Sequence, residues 1–323
     1  MTSLRANDPR ERLLDACSPS WTPDHLAELI VALNDQAVSC GDVARSMLVQ
    51  LRTNAPPKLS GAVLAIADRA DRSGEANAFH NPQHSRDVGV IWLSLALANN
   101  RLALAGTAPG RLSDRELLLG MCAAFGHDLD HDGTSNNVAT AGPDGTERTT
   151  RVAFRLERLA ADCVCEALQA HGAEPAEVAA ARAAVLTTDI VDGYAMLDAA
   201  VSPSGVAREA AADFAPLRDP AVALLAVILR DADVLPSAGL TAREYDRNTA
   251  LLEAELGIPR HSLGPDGTEE FFGRVLRGRF LSPPGKLFQP RLDALRALND
   301  VRLRRQDLRT ASLESVDRLA ARA

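Results

Sequence analysis

Leu117-Leu118-Leu119-Gly120-Met121-Cys122-Ala123-Ala124-Phe125 is an uninterrupted apolar run, and it leads into Gly126-His127-Asp128-Leu129-Asp130-His131-Asp132-Gly133-Thr134-Ser135-Asn136-Asn137. Ser113-Asp114-Arg115-Glu116 ahead of it has capping-box spacing, so a helix is expected to open there and run through Phe125. Its far end then carries a His and an Asp side by side. Neighbouring residues on a helix differ in direction by roughly 100°. Both therefore reach one metal ion only near the helix end. Imidazole suits zinc and similar ions, and a carboxylate can bridge to a harder second ion such as magnesium or manganese. Asp130, His131 and Asp132 follow at once, a density of ionisable groups that is costly in a core without a cation to pair with.

The chain has seven histidines, and two more of them lie upstream in Asn77-Ala78-Phe79-His80-Asn81-Pro82-Gln83-His84-Ser85-Arg86-Asp87-Val88. His80 and His84 are four residues apart, on one face of a helix. Alone they read equally as a surface pair. Together with the His-Asp segment they read as part of one metal site.

Composition agrees with a helical globular core. Of 323 residues, 46% are hydrophobic and 24% charged, as in an ordinary globular chain. Ala, Leu and Val dominate, with only 4% aromatics, which favours helix. The net charge of -8 argues against binding a nucleic acid polymer, which needs clustered Lys and Arg. It leaves small phosphate esters open, since a metal can supply local positive charge. Five cysteines without a CxxC pair read as reduced thiols of a cytoplasmic protein. Cys163 and Cys165 read as packing residues. No apolar run is long enough to cross a membrane, and Val88–Leu97 reads as a buried helix.

Helical spacing predicts helices over 24–33, 41–51, 59–72, 86–104, 117–125, 150–171, 176–186, 219–230, 241–256, 268–276, 290–299 and 303–322. Loops are expected at 54–58, 106–110, 141–145, 202–205 and 281–286, each with Pro or Gly. Strict alternation is rare, so strands should be few, and the fold class is all-α. We divide the chain into an N-terminal helical extension (1–56), a catalytic domain (57–300) and a C-terminal helix (301–323). Leu308, Leu313, Val316 and Leu319 give that last helix an apolar stripe fit for the body or for a second subunit, so a homodimer is a possible assembly.

The two histidine segments resemble those of the class I cyclic nucleotide phosphodiesterases, within the HD-type metal phosphohydrolases. The family's aromatic-His-Asn-x-x-His-x-x-Asp-Val stands here as Phe79 to Val88, and its His-Asp-x-Asp-His-x-Gly-x-x-Asn as His127 to Asn136. Leu156-Glu157, Thr187-Thr188-Asp189 and Asp231-Ala232-Asp233 are shorter matches. The resemblance spans roughly Asn77 to Pro236. It implies a compact multi-helix bundle with a buried two-metal site. His84, His127, Asp128 and Asp233 would hold the first ion, zinc or iron or manganese. Asp128 would bridge to a second, magnesium or manganese, whose waters His131, Glu157 and Thr188 would hold. A hydroxide between the ions would attack phosphorus, and His80 would donate a proton to the leaving oxygen. Asn81 and Asp87 would be supporting residues. Asn136 and Phe272 are expected at the substrate. Capping of the following segment is the alternative for Asn136, and core packing for Phe272. Asp231 is the competitor of Asp233.

The sequence departs from the family in four places. Asp233 is followed by Val234-Leu235-Pro236 without the usual Asn, Arg230 replaces a His, and Glu157 is followed by Arg158-Leu159 in place of paired His. The Gln-x-x-Phe that reads the purine ring is absent from the C-terminal third. Hydrolysis of a 3′,5′-cyclic nucleotide (cAMP or cGMP) to the 5′-monophosphate is the leading expectation. A phosphohydrolase acting on a nucleoside monophosphate or a non-cyclic diester is the second, and a metal-stabilised domain without turnover the third.

Overall fold

The computed structural model describes residues 22–51, 57–141, 147–201, 212–260, 262–263 and 265–320. The first four helices are α1 (Pro23–Asp35), α2 (Cys40–Leu51), α3 (Pro57–Ala70) and α4 (Pro82–Leu104). Next come α5 (Asp114–Gly126), an antiparallel hairpin of β1 (Asn137–Ala141) and β2 (Glu147–Arg151), α6 (Arg155–Ala170), α7 (Pro175–Leu186) and α8 (Asp192–Val201). A 3-10 segment, Ala212–Arg218, precedes α9 (Pro220–Ala238), and α10 (Ala242–Glu255), α11 (Pro265–Glu270) and α12 (Gln289–Ala320) complete the chain. Among the described residues no helix is long and apolar enough to cross a membrane.

Most of α4, α5 and α9 is buried on every face, and these three pack on one another at the centre of the molecule. Two glycines set how closely α4 and α5 approach. A Cβ at Gly120 would sit 1.8 Å from the Trp92 ring, and one at Gly89 would sit 2.5 Å from the Phe125 ring. Each glycine thus leaves room for the large ring of the facing helix. The buried cluster continues without a break through Leu26, Ile30 and Leu33 of α1 and Val43 and Met47 of α2.

The ends of these helices follow local rules. Ser113 and Glu116 form the expected capping box on α5. Asn81 caps α4, its Oδ1 accepting from the Gln83 and His84 amides at 3.0 and 3.2 Å, with Pro82 at the first helical position.

Six expectations are corrected. His80 lies before the Asn81 cap of α4 and so does not share a helical face with His84. The helix predicted over 219–230 continues past Asp233 and Pro236 to Ala238, because its residues stay buried beyond Arg230. The helix predicted over 150–171 begins only at Arg155. Thr150 and Arg151 belong to β2, where Thr149 and Thr150 suit a strand, and Phe154 turns the chain in the left-handed region (φ 59°). Helix α8 was not predicted, because it is short and carries Gly193 in its first turn; a Cβ there would meet the Leu186 carbonyl at 2.5 Å. The helices expected over 290–299 and 303–322 are one, since Asn299 turns its amide to the Tyr245 hydroxyl (3.3 Å) rather than ending a helix. The helix predicted over 268–276 is α11 followed by one π-type turn, Phe271–Val275. The surroundings of Leu308, Leu313, Val316 and Leu319, and most of the loops expected at 54–58, 141–145 and 202–205, lie outside the described residues.

The glycine contacts carry a stability prediction. Gly120→Ala gains about 1 kcal/mol of helix propensity but drives a methyl into a fully buried indole, a cost of about 1–3 kcal/mol that we expect to dominate. Gly110→Ala, whose Cβ would meet nothing within 4 Å, should change stability by less than about 0.5 kcal/mol. Urea denaturation of the two variants compares them, and a G120A protein more stable than wild type would refute the steric argument.

Candidate metal centre

The three central helices each deliver a ligand-type side chain to one point. His84 lies in the first turn of α4, just inside the Asn81 cap. His127 is the C-cap of α5, and Asp128 follows in the turn that ends it. Asp233 lies within α9, three residues before Pro236, whose missing amide leaves the Ala232 carbonyl without its helical partner.

The donor atoms crowd closely. The Nε2 atoms of His84 and His127 are 3.2 Å apart. His84 Nε2 lies 3.3 Å from Asp128 Oδ2 and 3.2 Å from Asp233 Oδ1. His127 Nε2 lies 3.1 and 3.4 Å from the same two oxygens. Donors about 2.0–2.2 Å from one tetrahedral ion would be about 3.3–3.6 Å apart. His127 Nδ1 is 2.9 Å from the Ala124 carbonyl, which calls for a proton on Nδ1 and a lone pair on Nε2. Asp128 Oδ2 is buried and makes no hydrogen bond of acceptable geometry. Two imidazole nitrogens and two carboxylate oxygens, one of them orphaned, make a donor set that fits a divalent transition ion.

Electrostatics point the same way. Burial alone would depress both histidines, yet the adjacent carboxylates of Asp128 and Asp233 raise His84 to about 9 and lift His127 well above its ordinary value. Burial would raise the carboxyls, but His127 and His84 hold Asp233 down to about 2, and His127 and His80 hold Asp128 well below the usual range. Without a cation the quartet can only answer its two negative charges with protons. Those protons would face each other across 3.2 Å between the two Nε2 atoms. A divalent ion supplies the same charge without that repulsion.

His80 stands beside this quartet, its ring 5.9 Å from that of His84 and stacked at 3.9 Å on His131. Its Nδ1 is hydrogen-bonded to Glu255 Oε1, and Glu255 Oε2 accepts from the Phe79 and His80 amides at 2.7 and 2.9 Å. Glu255, at the end of α10, was missed by sequence reading. It lies 175 residues from His80, and nothing local separates it from Glu253, which instead holds the Leu263 amide (2.8 Å).

The remaining expected residues take the following places. Asp87 accepts two hydrogen bonds from Arg86. His131 Nδ1 accepts from the Gly133 amide at 3.1 Å. Thr188 donates to the Val185 carbonyl at 2.7 Å. Burial raises Glu157 to about 7 against the opposing amide of Asn136, which lies 2.9 Å from it. Asn136 is buried; its Nδ2 also reaches Asp189 (3.0 Å) and its Oδ1 accepts from the Leu156 amide (3.1 Å), which caps α6. Asp231 turns away from the histidines and holds the Leu281 and Ser282 amides at 3.1 and 2.7 Å.

Phe272 is fully buried against Tyr245 and Phe271. It is Phe271 that borders a cavity of about 520 Å³, together with Ile190, Val191, Tyr194 and Leu263. Asp130 and Asp132 do not need a metal: they face outward, paired with Arg69 (2.7 Å) and Arg155 (2.9 Å). Arg230, in place of the expected His, is buried with its guanidinium 4.3 Å from the Tyr194 ring.

No protein-family model matches the chain, and no curated protein sequence does. Solved structures do match. The phosphodiesterase domain of the RhoPDE fusion protein from the choanoflagellate Salpingoeca rosetta is 19% identical, with a TM-score of 0.50 over 95% of this chain and 100% of that one. LmjPDEB1, in complex with IBMX, is 19% identical, with a TM-score of 0.53 over 92% of this chain and 98% of that one. This likeness is one of fold: the chain shares the all-α architecture of a phosphodiesterase domain.

Glu255 yields a pH prediction. Although burial opposes it, His80 and the two amides hold its carboxyl at about 2, against an ordinary value of 4.5. A carboxylate depressed by folding stabilises above its unfolded pKa, and the contribution is lost as pH falls toward the folded one. Glu255→Gln should therefore cost about 1–3 kcal/mol at pH 7, and the gap from wild type should narrow below pH 4.5. Urea titrations at pH 7 and 3.5 test this. A gap that stays the same at both would mean that the charge of Glu255 is not its source.

Proposed function

We propose that the chain is a metal-dependent phosphodiesterase that hydrolyses a 3′,5′-cyclic nucleotide to the 5′-monophosphate. The observation that carries this reading is the meeting of His84, His127 and Asp233, whose donor atoms all lie within 4.8 Å of one another, with Asp128 3.1–3.3 Å from both imidazoles and His80 already held by a carboxylate close by. The quartet would hold zinc, iron or manganese. Asp128 would also serve magnesium or manganese, with His131, Glu157 and Thr188 holding its water. Such ions supply Lewis acidity to phosphoryl oxygens and acidify water.

The chain's own residues do the rest. Glu255 fixes the His80 ring through Nδ1, which leaves Nε2 as the nitrogen that can release a proton to the leaving oxygen. Stacking on His131 limits the tilt of that ring. Asn77 donates to the His80 carbonyl (3.0 Å) and to the His131 carbonyl (2.8 Å), so the two histidine segments are tied together at the backbone.

The cavity bordered by Phe271 favours a second reading. Among the described residues its lining, which includes Tyr194, Leu263 and Phe271, offers no amide side chain to pair with a base edge. A substrate without a purine, such as a non-cyclic diester, would meet no mismatch there.

The deciding experiment is turnover of cAMP and cGMP with manganese or magnesium by the wild type, Asp128→Ala and His80→Asn. We expect conversion to the 5′-monophosphate that Asp128→Ala abolishes along with metal binding. His80→Asn should lose about 10²–10⁴-fold in kcat while its metal content stays at the wild-type level. No conversion of either nucleotide by a metal-loaded preparation would overturn the cyclic nucleotide reading and turn the search to other phosphate esters.

A further inference from the structure

Arg86 is one of the most deeply buried charged residues, 3% exposed, and all five of its N–H donors are used. Nε and Nη2 both reach Asp87 Oδ1, at 3.0 and 2.6 Å. Nη1 reaches the Leu33 carbonyl at 3.2 Å and the Val38 carbonyl at 3.0 Å, and Nη2 also reaches Asn34 Oδ1. The guanidinium therefore joins the first turns of α4 to the turn between α1 and α2. That turn contains Ala37 in the left-handed region (φ 48°), strained for a residue with a Cβ. The two carbonyls that Arg86 holds lie on either side of it. Cys40 adds a second tie, its thiol donating to the Pro82 carbonyl at 3.2 Å.

The position of this clasp matters. His84 is two residues before Arg86, and Asp87 lies one turn along the same face as His84, lining the same narrow crevice with Phe79 and Pro236. A buried ion pair contributes little net stability compared with apolar residues of the same volume, but it is demanding in geometry. A five-point fork also specifies one placement of the helix, which a lysine's point charge does not.

We propose that Arg86 is a positioning residue of the metal centre: it locks the start of α4 against the α1–α2 turn and, through the backbone of that first turn, fixes where His84 presents Nε2. The proposal rests on the reading that the quartet holds a metal. It makes α1 and α2 the buttress of the centre.

The test loads the full chain with cobalt(II), whose visible spectrum reports ligand geometry, and measures zinc affinity by chelator competition. Arg86→Lys keeps the charge beside Asp87 but cannot span the carbonyls, and Arg86→Met fills the volume alone. Ile30→Val trims the buried face of α1 without touching the clasp, and so controls for lost stability. We expect Arg86→Lys to weaken zinc binding by about 10–100-fold, the usual effect of losing a residue that orients a ligand, and to change the cobalt spectrum. Ile30→Val should leave both as in the wild type. Wild-type affinity and spectrum in folded Arg86→Lys would overturn the proposal, as would equal changes in Ile30→Val. If Arg86→Met does not fold, Arg86→Lys decides alone. A wild type that binds neither ion removes the metal reading itself, an outcome distinct from a wild type that binds and an Arg86→Lys that binds equally well.

Discussion

Two imidazole nitrogens lie 3.2 Å apart in the interior of a helical protein, each within 3.1–3.4 Å of an oxygen of Asp128 and of Asp233. With both carboxylates charged and no cation between them, that arrangement calls for protons on the imidazoles. The rest of the structure can be understood as the means of enforcing this crowding. Three helices are buried on nearly every face, so that their ends and turns are fixed by packing rather than by solvent. The stabilising burial of apolar surface is spread over the whole core, while the histidines and carboxylates of the quartet meet at one point.

The enforcing contacts are short-range and of different kinds. Glycines facing Trp92 and Phe125 set the distance between α4 and α5. The Asn81 cap sets where α4 begins, and thus where in its first turn His84 falls. Asp231 anchors the chain around Ser282 to α9 from the side opposite Asp233. Two acidic residues separated by one position thereby serve opposite faces of a helix, one structural and one directed at the histidines.

Much of this was legible in the sequence, because the decisive signals are local. The apolar run from Leu117 to Phe125 announces a buried helix, and the His127-Asp128 pair at its end announces what that helix delivers. Capping at Ser113 is equally local, whereas the His80–His84 spacing misleads: the helix begins at Pro82, and His80 lies before its Asn81 cap. Other misses share a physical cause: each depends on a partner distant in sequence. Thr150 and Arg151 form a strand because Asn137 and Val138 lie opposite them. Asn299 continues a helix because Tyr245 is there to receive its amide. Phe271 and Phe272 differ by one position, and only the packing of α10 tells which ring is core and which borders a cavity. Glu255 is the largest miss, since one glutamate among many becomes special only when the fold brings it to His80.

That last contact has a consequence for the order in which the protein is made. Synthesis runs from the N-terminus, and domains fold as their parts emerge. Every member of the metal quartet has been translated once α9 is complete at Ala238. The carboxylate that orients His80 is added only at the end of α10. A nascent chain stopped between the two carries all four proposed ligands and a His80 ring without its carboxylate partner. His80, the proposed acid, is thus among the first parts of the site to be made, and the carboxylate that sets its ring is among the last.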